Sequence, residues 1–161
     1  MPRRPLLAIV VFVLALLTAT AAPAATSKDE KNLDKETARL ERTAATAEGE
    51  KAVIKRINSD FKVDAARVAA LRSRNLGYGE IVTACSLARS LAGGCTEPNL
   101  EKVLSLRQGP PRRGWSEVAR QLDVKLGPTV SQVKKLNDES HREIKKDHAA
   151  AGPQAGGAHQ K

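Results

Sequence analysis

Two glutamates, Glu80 and Glu117, occur in matching sequence settings and are the first candidates for chemistry. A pair of carboxylates can supply a general acid and a general base. Neither glutamate has a histidine, serine or metal-ligating neighbour at a useful spacing. Both fall where a helix would begin, and the helix dipole favours negative charge there. We therefore predict that the pair is structural, and that the chain is a non-catalytic protein with no cofactor and no metal site.

Two cysteines, Cys85 and Cys95, could form a disulfide. They are ten residues apart, and Cys85 lies on an apolar helical stripe whereas Cys95 follows Gly93-Gly94. A short loop of this length can bring them together. The alternative is a buried, unreactive Cys85 and a free Cys95 thiol, and we leave both open. The absence of a Cys-x-x-Cys spacing argues against a catalytic redox pair. We expect His141 and His148 to be solvated surface residues.

The amino terminus has the layout of a secretory signal peptide. Arg3 and Arg4 precede an unbroken apolar run at residues 6–17, and Ala22-Pro23-Ala24 supplies an A-x-A cleavage site. We predict a signal peptide at residues 1–24 and export to the periplasm or the medium. The apolar segment is short for a membrane anchor, so after cleavage we expect no integral membrane protein. The export compartment is oxidising, which permits a disulfide.

The exported chain is basic and helical in its patterning. Removing residues 1–24 leaves 25 basic and 18 acidic residues. Residues 25–50 are dense in charge and predict a helical or partly disordered stalk. Residues 51–146 carry helical apolar periodicity throughout, interrupted by glycine and proline, and predict an all-α domain of about six short helices. Residues 147–161 are rich in alanine and glycine and predict a disordered tail.

An internal repeat organises the helical domain. A Val-x-x-Leu-Arg segment ends at Arg72 and again at Arg107, and each copy is followed by a glycine, an aromatic residue and a glutamate. We predict two pseudo-repeated helical hairpins, in which the glycine permits a backbone conformation that other residues avoid. The repeat turn residues, which we interpret as structural, are Gly77, Tyr78, Glu80, Gly114, Trp115 and Glu117.

The same turns carry a resemblance to known proteins. The segment Asn75-Leu76-Gly77-Tyr78-Gly79-Glu80-Ile81 and the later segment at residues 114–128 resemble an uncharacterised group of small exported bacterial helical proteins, which carry GLGYGEI and GWGxIAxxLGVKLGP. This chain departs from that pattern at Ser116 and Asp123, where the group has glycine. The resemblance implies an exported helical protein and no particular activity.

The surplus of basic residues indicates an anionic partner. Seven basic and two acidic residues fall between positions 107 and 135. Such a patch fits an anionic envelope component or an acidic protein. The patch residues we predict are Arg112, Arg113, Arg120, Lys125, Lys134 and Lys135. We therefore predict a binding or structural module of the periplasm or cell envelope.

A second hypothesis concerns nucleic acid. Residues 114–136 have the pattern of a DNA-binding helix-turn-helix, with two short apolar helices around a tight turn and polar or basic residues on the second. Export would remove the chain from the chromosome, and the turn is one residue longer than usual. Nucleic-acid binding therefore remains the alternative prediction, and it requires that residues 1–24 are not a signal peptide.

Overall fold

A computed structural model describes residues 27–150, and these residues are all-helical, as predicted, with no strand among them. The predicted signal peptide and residues 151–161 of the predicted tail lie outside the described residues. Residues 147–150, which we had assigned to the tail, form the last turn of the seventh helix. The helices are α1 (Lys28–Thr43), α2 (Ala47–Phe61), α3 (Ala65–Ser73), α4 (Tyr78–Arg89), α5 (Glu97–Gln108), α6 (Trp115–Gln121) and α7 (Leu126–Ala150).

Helices α2 to α7 correspond to the six expected from the apolar stripes, and α1 comes from the segment we described as a stalk. Three helices begin at a side chain that accepts a hydrogen bond from the first turn: Ser27 caps α1, Thr46 caps α2 and Asp64 caps α3. Helix α5 begins just after Thr96 and has Pro98 in its first turn. Local signals therefore set most of the helix starts.

Helix α7 is the central element, and α1 and α2 pack along it in opposite directions. Residue 39 of α1 contacts residue 138 of α7, and residue 43 contacts residue 141. Because the residue number rises in the same direction along both helices, α1 and α7 run parallel. Arg56 of α2 instead pairs with Glu139, and Asp60 accepts from Gln132, so α2 runs antiparallel to α7. Helix α4 packs against all three of these helices.

The core is continuous from α1 to α7. Leu33 and Leu40, the large apolar residues of α1, have no exposed surface, and they pack in one cluster with Val53, Ile57 and Leu136. A leucine that is fully removed from water contributes about 2 kcal/mol of hydrophobic free energy. These two residues, seven positions apart, anchor an otherwise polar helix to the core of the bundle.

The turn between α6 and α7 places Asp123 in the left-handed region, with a φ of 54°. Because residues other than glycine are strained there, we expect Asp123→Gly to raise the free energy of unfolding by about 1 kcal/mol. Chemical denaturation measures the change. Asp123→Ala, which removes the charge but keeps a Cβ in the left-handed region, is the control. An equal gain in both variants would assign the effect to charge instead.

Candidate functional site

The aromatic residues of the two repeat turns occupy matching environments. Tyr78 and Trp115 are each the first residue of a helix, α4 and α6, and both side chains are buried. The Arg72 guanidinium lies 4.5 Å from the centre of the Tyr78 ring, and that of Arg107 lies 4.8 Å from the centre of the Trp115 ring. These distances are those of cation–π contacts. Trp115 is therefore a core residue and does not belong to an exposed basic patch.

The two arginines also bind equivalent backbone positions. Arg72 donates to the carbonyl of Leu76 at 2.9 Å, and Arg107 donates to the carbonyl of Arg113. Leu76 and Arg113 are the residues immediately before Gly77 and Gly114. Each arginine thus joins the end of one helix to the turn that starts the next.

Helix α1 supplies a carboxylate to each of these turns. Glu41 Oε1 accepts from the Gly79 N–H at 2.8 Å, and Glu30 Oε1 accepts from the Trp115 N–H at 2.8 Å. The first N–H groups of a helix lack partners within the helix, so these contacts cap α4 and α6 with a charge that suits the helix dipole. Sequence reasoning missed both glutamates.

The glycines have a different role from the one we predicted. Gly77 has a φ of −70° and Gly114 a φ of −66°, in an extended conformation that any residue adopts. A Cβ at Gly77 would lie closer than 3.0 Å to the Glu41 carboxylate, and one at Gly114 would crowd the Glu30 carboxylate in the same way. Glycine leaves room here for the capping carboxylate, which would have to shift if a Cβ were added.

The two glutamates considered for catalysis are both bound to arginine. Glu80 accepts from Arg107 at 3.3 Å and from Arg112 at 2.6 Å. Glu117 accepts from Arg120 at 2.6 Å, and this hydrogen bond together with one from Gln121 lowers the pKa of the Glu117 carboxyl. A carboxylate held in its ionised form is a poor proton donor, which agrees with a structural role for this residue.

The two cysteines face each other across the end of α4. Cys85 is fully buried in α4, and Cys95 is half-buried in the segment before α5; both are free thiols in this structure. A hydrogen bond with Cys95 and burial both raise the pKa of Cys85. The same hydrogen bond, with help from the nearby Arg89, lowers the pKa of Cys95. Cys95, the less buried of the two, is thus the better nucleophile.

The six predicted patch residues fall into three separate settings. Arg112 and Arg113 lie between α5 and α6, and Arg112 is paired with Glu80, whereas Arg113 donates to the Leu106 carbonyl at 3.2 Å. Arg120 is paired with Glu117, and it lines a cavity of about 420 Å³ together with Lys125. Lys134 and Lys135 lie on the exposed side of α7. Arg112, Arg120 and Lys135, which lies 4.0 Å from Glu139, are thus paired with carboxylates, whereas Arg113, Lys125 and Lys134 have no ion-pair partner among the described residues.

His141 differs from our expectation of a solvated histidine. It is half-buried between α1 and α7, and its Nε2 lies 3.1 Å from the hydroxyl of Thr43. The same hydroxyl lies 2.9 Å from Oδ1 of Asn137, which is fully buried. This small polar cluster fixes the register of the two parallel helices. Within residues 27–150, no group of histidine, cysteine, aspartate or glutamate has the arrangement of a metal site.

Tyr78, the one tyrosine of the chain, gives a direct test of the repeat turn. Burial raises the pKa of Tyr78 to about 12, and the hydrogen bond that it donates to Glu50 adds to the shift. Because the fold holds the neutral phenol, this contribution to stability is present below pH 10 and is lost as the pH rises from 10 towards 12. We expect the phenolate absorbance of the folded protein to show this raised pKa. A transition at the ordinary pKa of 10.0 would contradict the buried geometry.

Glu50→Gln provides the matched variant for this titration. We expect it to lower the pKa of Tyr78 while leaving it above the ordinary value, since burial is the larger cause.

Comparisons with protein-family models, curated proteins and solved structures find no match for this chain. Among the described residues, no helix is both long enough and apolar enough to cross a bilayer.

Proposed function

We propose that this protein is an exported, non-catalytic helical module of the periplasm or cell envelope that binds an anionic partner. One observation carries this proposal: three carboxylates of α1 are turned towards the protein. Glu30 and Glu41 are half-buried and cap α6 and α4, and the side chain of Glu36 is 14% exposed. Residues 27–150 contain 24 basic and 18 acidic residues, so the internal use of the acidic side chains leaves the outer surface more cationic than the net charge suggests.

The non-catalytic part of the proposal is supported by the state of the candidate groups. Both repeat glutamates are occupied by arginines, and the Cys85 thiol is buried. A general acid or base needs a free approach to its substrate. Detecting a turnover that disappears in the Glu80→Gln/Glu117→Gln variant, while the variant keeps its fold, would overturn this part.

Nucleic-acid binding through residues 114–136 is less well supported. A recognition helix must present its first turns to a groove, but Leu126, Thr129 and Val133 of α7 are buried. Helix α7 packs along α1, α2 and α4. A gel-shift titration with duplex DNA at low salt tests this alternative, and it predicts binding that weakens in the Lys134→Ala/Lys135→Ala variant.

Export is tested by mass spectrometry of each cell fraction, on protein expressed with its own leader. We expect a species in the periplasm or medium that begins at Ala25. A full-length species confined to the cytoplasm would contradict the proposal and favour the nucleic-acid alternative.

Partner binding is tested by sedimentation of the exported protein with an isolated envelope fraction that contains both membranes and wall polymer. We expect binding at low ionic strength that is lost at about 0.5 M salt, where charges are screened within a few ångströms. An absence of sedimentation at low salt would contradict binding to an anionic envelope component.

A further inference from the structure

We propose that the exposed face formed by α1 and α7 docks on an anionic phospholipid membrane. This inference rests on the proposed function and names its surface and its partner. It begins from the separation of charge on α1. The acidic residues Glu30 and Glu41 point into the protein as helix caps, and Glu36 is largely covered, with a side chain that is 14% exposed.

The basic residues of α1 form a stripe on the opposite side. At 100° per residue, they fall within an arc of about 80°, facing away from Leu33 and Leu40. Four of them are exposed and form no ion pair with any residue in 27–150, and the fifth, Arg39, is paired with Asp138 at 3.0 Å. Asp34 lies at the edge of the stripe. The α1 stripe consists of Lys28, Lys31, Lys35, Arg39 and Arg42.

The parallel register of α1 and α7 extends this stripe into a face. Lys35 and Lys134 each lie one turn before the Arg39–Asp138 pair, so they project from the same level of the two helices. A shallow groove of about 270 Å³ runs along α7 beside them, lined by Ser131, Lys134, Lys135, Asp138, Glu139 and Arg142.

The carboxylates of this groove cancel only part of the positive charge of the face. Asp138 pairs with Arg39, and Glu139 pairs with Arg56 of α2 and lies 4.0 Å from Lys135. Lys134 and Arg142 are exposed and have no ion-pair partner among the described residues. The face therefore presents a two-dimensional array of cations, spread over about 21 Å along α1 from residue 28 to residue 42.

The shape of this face suits a flat partner surface, such as a membrane, better than the groove of a nucleic acid. Two helices packed side by side span about 20 Å with their side chains, whereas the major groove of DNA is about 12 Å wide and admits one helix. The α1 stripe contains no aromatic or large aliphatic side chain, so the face has nothing to insert between lipid tails. It suits electrostatic contact with headgroups, which contributes about 1 kcal/mol for each lysine or arginine near the surface.

The experiment measures partition of the exported protein onto vesicles of phosphatidylcholine with about one-third phosphatidylglycerol, at low salt. We expect Lys31→Gln/Lys35→Gln to reduce the partition coefficient about 30-fold, which corresponds to two lysines at the value above. The matched control is Lys51→Gln/Lys102→Gln, which removes two exposed cations from α2 and α5. We expect the control to lose less than about threefold, because its lysines lie off the face. Thermal unfolding verifies that both variants remain folded.

Three results would overturn the membrane proposal: no binding to these vesicles, equal losses in the two variants, or tighter binding to a DNA duplex than to vesicles. If the protein sediments with the envelope fraction but not with vesicles, the proposed function stands and only the membrane assignment falls. If neither material binds the protein, both fall.

Discussion

Gly77→Ala is expected to lower the free energy of unfolding by about 1–2 kcal/mol. A Cβ at this position would collide with the Glu41 carboxylate, and the carboxylate would have to withdraw from the Gly79 N–H that it caps. Because the colliding atoms are the end of a flexible side chain, the cost is mainly that of the lost charge-assisted hydrogen bond. Equilibrium denaturation measures the change, and we expect Gly114→Ala to behave in the same way because Glu30 occupies the matching space.

A double-mutant cycle identifies the cause. Glu41→Ala alone should cost about 1–2 kcal/mol as a lost cap. Adding Gly77→Ala to that variant should cost less than about 1 kcal/mol further, since the colliding group is gone. Gly127→Ala is the matched control: its added Cβ would lie 3.5 Å from Asp29, an ordinary contact, and we expect no loss of stability. Strictly additive costs in the cycle would show that the carboxylate is not what requires glycine.

Oxidation of Cys85 and Cys95 to a disulfide is expected to raise the free energy of unfolding by about 2–3 kcal/mol, the value for a closed loop of this length. The Cys95 thiolate attacks the disulfide of an oxidant, and Cys85 then attacks the Cys95 sulfur of the mixed disulfide and displaces the second thiol of the oxidant. One bond forms between the cysteines, and the oxidant leaves as two thiols. The bridge would join the end of α4 to the segment that leads into α5.

The measurement compares intact mass and denaturation of the exported protein with and without reductant. We expect reduction to add about two protons of mass and to remove the extra stability. Cys95→Ser, at the half-buried position, should be insensitive to reductant. Recovery of two reactive thiols from non-reduced protein would contradict the bridge and support the alternative of a buried Cys85 beside a free Cys95.

The helices were predictable because their signals are local. Apolar stripes, glycine and proline breaks and capping residues mark α2 to α7, and the structure confirms an all-α chain over residues 27–150. The spacing of Leu33 and Leu40 was visible as well. What the sequence could not show is that α7, about 98 residues later, supplies the surface that buries them, because periodicity reveals a face but not its partner.

The capping glutamates were not predictable for a related reason. In sequence, Glu30 and Glu41 are two of seven acidic residues among eight basic ones at positions 28–56, and a balanced segment looks uniformly solvated. Eleven residues separate them, which is about three helical turns. This spacing places both on one face of α1, and it was the one sequence signal that could have paired them. Likewise, counting charges favoured positions 107–135 as the binding patch, although Arg107, Arg112 and Arg120 of that segment are paired with carboxylates of the fold.

The parallel pairing of α1 and α7 has a consequence for the order of folding. The first described helix is completed by the last, so contacts of long sequence separation close the core, and such contacts form slowly because a long loop must be ordered first. If the chain enters its compartment amino terminus first, Leu33 and Leu40 of α1 stay exposed to solvent until α7 has also entered. The native fold is then a property of the finished chain, and fragments that lack α7 should remain targets for proteases and chaperones.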